Sequence, residues 1–168
     1  LRDFNFYILP KQISFRTDVF RSYLETKLRN NSGLDFDIQP TFSKYFTLNR
    51  TANIKYDLTR SLKFNFSSNI RSIIDEPEGQ IDNKSEVDSI ISNIMSLGRP
   101  SEYHHNFDIR YSLPINKIPI LSWINTNLTY DGSYDWNVAS LSAQNFGNTI
   151  QNTNSLRLNT QLIIIKMN

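Results

Sequence analysis

The sequence contains no cysteine in 168 residues and only five glycines. The absence of cysteine excludes a disulfide framework and thiolate chemistry. The formal net charge of +2 argues against a nucleic-acid partner, which would favour a strongly basic surface. Apolar runs such as Leu162-Ile163-Ile164-Ile165 are far shorter than the roughly 20 residues of a transmembrane helix. A transmembrane β-barrel stays open, because alternation hides its lipid-facing side chains from the mean hydropathy.

Two neighbouring stretches alternate between apolar and polar residues. From Phe46 to Leu58 the even positions are mostly apolar and the odd positions polar. The pattern returns from Leu62 to Phe66, after the break Thr59-Arg60-Ser61. A period of two is typical of a strand with one apolar face, and two strands joined by about three residues form an antiparallel hairpin. We therefore predict a β-hairpin over residues 46–74.

The same alternation recurs along most of the chain. Because no helix lies between successive strands as a crossover, the sheet is expected to be antiparallel throughout. The sequence thus predicts an all-β fold, an antiparallel meander of about seven long strands, the first of them incomplete. The other alternating stretches lie near Phe4–Ile8, Ile13–Leu28, Leu34–Ile38, Phe107–Leu113, Ile124–Trp136 and Ile150–Ile164.

A long loop interrupts the alternation at residues 75–102. Ser85 and Asp88 have the spacing of a capping box, and Gly98 is placed to cap a helix C-terminus. We predict a short amphipathic helix over residues 85–97, facing either the lumen or the exterior of a barrel. Loops this long are usually functional or packed on another surface. The apolar residues at helical spacing are Val87, Ile90, Ile91, Ile94 and Met95.

The connections between the predicted strands alternate in length. Outer-membrane barrels have short periplasmic turns and long outer loops, and strands of a dozen residues exceed the usual length of about 5–6. Both features favour part of a transmembrane barrel. A soluble antiparallel sheet acting as a binding module, and a segment of a porin or TonB-dependent transporter, stay open as alternatives. The short connections are residues 10–12, 59–61 and 114–120, and the longer ones follow Arg29, Ile74 and Asn137.

Within a barrel, strand parity assigns each side chain to lipid or to the lumen. Tyr130, Tyr134 and Trp136 fall where an aromatic girdle would lie. The residues predicted to face lipid are Ile54, Tyr56, Leu58, Leu62, Phe64, Phe66, Phe107, Ile109, Tyr111, Leu113, Ile124, Leu128, Leu158, Leu162 and Ile164. The residues predicted to face the lumen are Asn53, Lys55, Asp57, Lys63, Asn65, Asn125 and Asn127.

The sequence offers little catalytic or metal-binding chemistry. His104 and His105 are adjacent, so on a strand they point to opposite faces and do not readily chelate one metal. The carboxylates of residues 75–82 could bind calcium, but their spacing is not that of an EF-hand, and a solvated acidic loop is favoured. No glycine-rich phosphate loop, nucleophile elbow or Ser/His/Asp arrangement occurs. We predict no enzymatic activity, no cofactor and no metal site.

Several motifs, in the same order along most of the chain, resemble the SprA/Sov family. Together they are far more specific than any single motif. The motifs are Ile13-Ser14-Phe15-Arg16-Thr17-Asp18, Tyr56 to Phe66, Ile74 to Asp82, Gly132-Ser133-Tyr134-Asp135-Trp136 and Gly147 to Asn152.

That family forms the outer-membrane translocon of the type IX secretion system in Bacteroidota and is tied to gliding motility. The resemblance implies one very large barrel of about 36 strands, in which residues 1–168 are an internal segment, since about seven strands cannot close even the usual minimum of about eight. It implies a structural part of a channel that passes folded cargo to the cell surface. The implied partners are outer-membrane lipid, a PorV-like accessory barrel, a plug protein and secreted cargo with a C-terminal sorting domain. It implies no catalytic residues.

Overall fold

The computed structural model describes residues 5–31 and 37–163, with the backbone alone at residues 141, 143 and 144. Within these ranges no helix is long and apolar enough to cross a membrane. Three short 3-10 helices lie at Pro114–Lys117, Pro119–Leu121 and Leu141–Phe146. The main elements are β1 (Gln12–Thr26), β2 (Thr41–Asp57), β3 (Leu62–Ile73), α1 (Lys84–Met95), β4 (Arg99–Leu113), β5 (Ile124–Asn137) and β6 (Thr149–Leu162).

The strands form one six-stranded sheet in the order β1-β2-β3-β4-β5-β6. Each strand is therefore hydrogen-bonded to its neighbours in the chain. The last pair is antiparallel, and its register runs from Ile124 opposite Leu162 to Asn137 opposite Thr149. The prediction of an all-β antiparallel meander with one helix is confirmed. Strands of 12 to 17 residues match the long alternating stretches of the sequence.

The strand expected near Phe4–Ile8 is not formed by the described residues. Phe6 makes a single antiparallel bridge to Thr59, and Ile8 lies outside any strand. Pro10 follows closely and has no backbone N–H to donate to a ladder. The described part of the chain therefore has six strands instead of about seven. Phe4, Ile164 and most of the stretch predicted at Leu34–Ile38 lie outside the described residues.

The connections follow the predicted alternation of lengths only in part. Residues 58–61 form a tight connection, whereas residues 74–98 form a long one. Residues 114–123 and 138–148, predicted to differ, are almost equally long. The reason lies in Pro114 and Pro119, since each occupies the start of a short 3-10 helix and lengthens the path between β4 and β5.

Helix α1 begins at Lys84, one residue before the predicted start, and its cap differs from the prediction. Asn83 is the N-cap, and its side-chain oxygen accepts a hydrogen bond from the Glu86 N–H at 3.0 Å. The Glu86 carboxylate accepts in turn from the Asp82 N–H at 3.1 Å. The expected Ser85–Asp88 box is therefore wrong, because an asparagine two residues earlier supplies the cap, with a glutamate at the third helical position.

The helix ends at Met95, with Ser96 as the C-cap, instead of at residue 97. The Leu97 N–H donates to the Ile94 carbonyl at 2.9 Å and the Gly98 N–H to the Asn93 carbonyl at 2.9 Å. This pair of hydrogen bonds is a Schellman motif. Leu97 and Gly98 both have φ of 65°, so the left-handed cap includes a leucine as well as the predicted glycine.

The chain divides into two compact units. The first unit comprises Leu1–Arg16, Thr51–Asn69 and Tyr103–Asn168. The second unit comprises Thr17–Arg50 and Ile70–Glu102, and it contains α1. The two units differ in whether they bury apolar side chains.

The hydrophobic core of the described residues lies wholly in the second unit. It consists of Phe46, Leu48 and Ile74, with Ile90 of α1 packed against it. Phe46 and Leu48 share the even parity of β2, so α1 covers the face on which the even-numbered residues of that strand lie. The helix therefore packs on the apolar face of the sheet and not on the polar one.

Candidate functional site

A network of polar side chains covers one face of the sheet in the first unit. Asn53 of β2 donates to the Ser14 hydroxyl at 3.3 Å and accepts from the Ser67 hydroxyl at 2.7 Å. On the neighbouring strands, Asn65 donates to the Asp108 carboxylate at 2.9 Å. These contacts link β1 to β2, β2 to β3 and β3 to β4. Two residues predicted to face the lumen, Asn53 and Asn65, thus lie in one hydrogen-bonded surface.

The same kind of contact continues toward β5. The Ser112 hydroxyl donates to the Asn127 side chain at 2.8 Å. Asn116, just after β4, donates to Asn125 at 3.1 Å. A groove of about 310 Å³ opens on the network, and Lys55 lines it. A surface of amide, hydroxyl and carboxylate groups of this kind binds water readily, because each group keeps donors or acceptors to offer.

Asp57 and Lys63, also predicted to face the lumen, lie apart from these hydrogen bonds. Asp57 forms an ion pair with Lys11 at 3.7 Å. Together with Lys63 and Arg60 they line a second pocket, of about 410 Å³. This pocket lies beside the tight connection between β2 and β3, and it carries three cations against one carboxylate.

Sequence reasoning missed the partners that hold this polar surface together. Parity contained the signal for the four that lie on strands, since each of them occupies a polar position that alternates with the apolar positions of its own strand, whereas Asn116 lies in a 3-10 helix. Their pairing across strands depends on register, which one sequence does not reveal. The missed partners are Ser14, Ser67, Asp108, Ser112 and Asn116.

Aromatic rings cluster on the opposite face of the first unit. The His105 ring stacks on Tyr134 with centroids 5.3 Å apart and also lies 5.9 Å from Phe66. Phe107 meets Tyr130 at 5.8 Å. Two of the predicted girdle residues therefore join rings predicted to face lipid. Edge and offset contacts at these distances each contribute about 0.5–1.5 kcal/mol beyond area burial.

Glycine makes room for this aromatic cluster at one position of β5. A Cβ on Gly132 would lie 2.6 Å from two ring atoms of Phe107. The phenyl ring therefore covers the backbone of the neighbouring strand. A glycine inside a strand weakens the sheet because it has no side chain to pack. An aromatic ring packed over the glycine restores part of that lost contact.

None of the described residues predicted to face lipid is fully buried. On β5 and β6, Ile124 is opposite Leu162 and Leu128 opposite Leu158. Both β6 leucines are exposed, Leu158 at 63%. The half-buried members of the predicted set are Ile54, Tyr56, Leu58, Leu62, Phe64, Phe66, Phe107, Ile109, Tyr111, Leu113, Ile124 and Leu128.

The two histidines do point to opposite faces, as predicted. His104 contacts the Asp135 carboxylate, 2.5 Å from Nδ1, whereas His105 stacks on Tyr134. Tyr134 and Asp135 are themselves adjacent on β5, so the two contacts lie on different sides of the sheet. Within the described ranges no three His, Cys, Asp or Glu side chains lie close enough to hold a metal ion.

The acidic loop of the second unit is engaged by arginines. Asp75 pairs with Arg99 at 3.2 Å, and Glu76 accepts from Arg21 at 2.5 Å. The hydrogen bond to Glu76 raises the pKa of the Arg21 guanidinium, which stays charged. The Glu76 side chain is only 3% exposed, so this pair anchors the loop to β1. Two of the four carboxylates considered for calcium thus have cationic partners within the chain.

No protein-family model matches the sequence, and no curated protein matches it.

Proposed function

We propose that this chain forms part of the wall of a protein-conducting β-barrel of the bacterial outer membrane, the channel of the type IX secretion system. The observation that carries the proposal is the difference between the two faces of the sheet in the first unit. One face of its sheet is a hydrogen-bonded polar surface, and the other face is apolar. Among its described residues no apolar side chain is buried. Lipid on the apolar face and water on the polar face would satisfy both surfaces.

The unpaired edges of the sheet determine what else the proposed barrel must contain. In the described part of the chain, β1 and β6 each have a strand neighbour on one side only. An unpaired strand edge is costly in a bilayer, because no water is present to bond its N–H and C=O groups. The proposal therefore requires further strands beside β1 and β6, and closure into a barrel much larger than six strands.

The role of the segment in this proposal is structural. The polar face lines a wet lumen through which a folded cargo protein passes. Amide and hydroxyl groups suit that role because they hold water without a strong charge. The accompanying proteins proposed from the family resemblance are a PorV-like accessory barrel, a plug protein and cargo with a C-terminal sorting domain.

Arginine substitutions on the two faces test the proposal in the intact protein that carries this chain. Ile54→Arg and Phe64→Arg place a charge on the face assigned to lipid, at a cost of about 2–4 kcal/mol near the bilayer midplane. Asn53→Arg and Asn65→Arg are the matched controls one residue away. We expect poor outer-membrane assembly, measured as heat-modifiable barrel on a gel, for the first pair only. Equal tolerance of both pairs contradicts the proposal.

A second candidate is a soluble binding module that presents its polar face to a glycan or a protein. The polar groove of about 310 Å³ favours this reading, since it offers amide, hydroxyl and carboxylate groups together. The two functions differ in what the 168-residue chain does without detergent. The module predicts a folded monomer in size-exclusion chromatography, whereas the barrel wall predicts aggregation.

A further inference from the structure

Helix α1 carries an apolar stripe that the second unit leaves uncovered. Ile90 packs on the hydrophobic core. Val87, Ile91 and Met95 follow one another at spacings of four residues, and therefore lie along one side of the helix. All three are exposed, Met95 at 79%. An amphipathic helix normally buries such a stripe, so the stripe is an unpartnered surface.

The C-terminal cap adds a further exposed apolar residue, in a strained backbone conformation. Leu97 has φ of 65°, a conformation that costs an L-residue about 1–2 kcal/mol and that glycine adopts freely. Its side chain is nevertheless 48% exposed, so packing within the unit does not account for a leucine there. The Schellman motif requires a left-handed residue here, and a leucine in place of glycine costs stability without gaining buried area, so a role in binding accounts for it.

The segment that presents the stripe is held in place by contacts with three strands. Arg21 of β1 binds Glu76, and the Lys44 ammonium of β2 donates to the Pro77 carbonyl at 2.6 Å. Arg99 of β4 pairs with Asp75 at 3.2 Å. Because the loop is already ordered, a partner binding α1 would lose little affinity to the ordering of this segment.

The charges around the stripe indicate the kind of partner. Glu78 and Asp82 precede the helix, Asp88 borders the stripe, and all three are exposed. None of them has an ion-pair partner in the described part of the chain, and Lys84 is the one cation on the helix. The surface is therefore apolar with an acidic rim, which repels anionic lipid and attracts basic groups.

We propose that α1 docks a basic amphipathic helix of a protein partner, whose leucine-rich face packs on Ile91, Met95 and Leu97 and whose flanking lysine or arginine residues meet the acidic rim. This mode of recognition packs two amphipathic helices together through apolar side chains, and on α1 the anchors Ile91 and Met95 are about one turn apart. The inference concerns the second unit alone and does not depend on the barrel. Its failure would leave the proposed function standing, and the reverse also holds.

A binding titration with defined probes tests the docking helix in the intact protein. The probes are a fluorescein-labelled amphipathic helical peptide of leucine and lysine, and the same peptide with glutamate in place of lysine. We expect the leucine–lysine peptide to bind and Ile91→Ser to weaken it about tenfold or more, the loss expected for one buried aliphatic side chain. Leu97→Gly should also weaken binding without unfolding the helix, because glycine relieves the strain at this position.

Two controls make the test specific. Ile120→Ser removes an equally apolar and more exposed residue in the first unit and should leave the affinity unchanged. Asp88→Asn should weaken the binding of the basic peptide and reduce its salt dependence. Unchanged affinity in both Ile91→Ser and Leu97→Gly overturns the proposal. So does equal binding of the glutamate peptide, α1-dependent partition into phosphatidylglycerol vesicles without peptide binding, or a self-association that Ile91→Ser abolishes.

Discussion

The second unit buries Phe46, Leu48 and Ile74 under its own helix, whereas the first unit buries no apolar side chain among its described residues. Both are built from the same alternating strands. Alternation therefore determines which side chains share a face of the sheet, but not what covers that face. In the second unit the chain supplies the cover itself. In the first unit no apolar side chain is buried among the described residues, and we propose that lipid covers the apolar face.

Shortening a leucine in each unit should show the largest contrast. Leu48→Ala leaves a cavity in the core, so it should lower the free energy of unfolding of the second unit by about 2–5 kcal/mol. Leu158→Ala should cost about 1 kcal/mol or less, because the exposed side chain leaves no cavity. Hydrogen exchange reports the two units separately. Equal losses at the two positions would remove the distinction between a covered and an uncovered sheet.

The cap of α1 gives the next largest effect. Gly98→Ala should destabilise the second unit by about 2–4 kcal/mol, because the added Cβ meets both left-handed strain and a close contact. That Cβ would lie 2.6 Å from the Ile73 carbonyl oxygen. Gly79→Ala is the matched control, since Gly79 has φ of 76° but open space around it. It should cost only about 1–2 kcal/mol in thermal unfolding. A Gly98→Ala effect no larger than the control would mean that the helix is not seated against β3.

The ion pair between Arg21 and Glu76 should contribute more to the free energy of unfolding than an ion pair between two exposed side chains. Glu76→Gln weakens a charged hydrogen bond at a buried carboxylate and should cost about 1–3 kcal/mol of unfolding free energy. Glu102→Gln removes the Arg71 partner at 3.3 Å, where both side chains are exposed, and should cost less than about 1 kcal/mol. Urea titrations of both variants measure the difference. A reversed order would show that the acidic loop is not anchored through Glu76.

The smallest expected effect lies in the first unit. Gly132→Ala should cost about 1 kcal/mol, at the low end for overpacking, because the Phe107 ring can tilt away from the new methyl group. Combining it with Phe107→Leu should recover part of the loss, since the smaller side chain frees the space. Denaturant unfolding of both variants provides the measurement. No recovery in the double variant would mean that the ring does not lie over Gly132.

The strands could be predicted from the sequence because a period of two determines the face of every residue whatever the register. The start of α1 was missed because Ser85 and Asn83 are both good caps, and only the contacts of Glu86 distinguish them. The face that α1 covers could not be predicted either, because it depends on contacts such as that of Arg21 with Glu76. These two residues are 55 positions apart in the chain.

The polar surface of the first unit could also be predicted from the sequence only in part. Parity alone placed Asn53 and Asn65 on one face, and the structure adds that they bind Ser14, Ser67 and Asp108. Register decides these partners, and it is determined by the whole sheet. Local pattern therefore gave the composition of each face, while the pairing across strands and the cover over each unit required the fold.

The proposed barrel wall requires that one face of the sheet in the first unit meets lipid and that the other meets water. Residues 1–168 contain no cysteine, so single cysteines introduced at positions 62–67 can be spin-labelled in the intact protein in lipid vesicles, once any cysteine elsewhere in that protein has been replaced. We expect accessibility to oxygen and to a water-soluble nickel reagent to alternate with opposite phase along β3. Labels at Leu62, Phe64 and Phe66 should favour oxygen, and labels at Lys63, Asn65 and Ser67 the nickel reagent. High nickel accessibility at all six positions would contradict the claim.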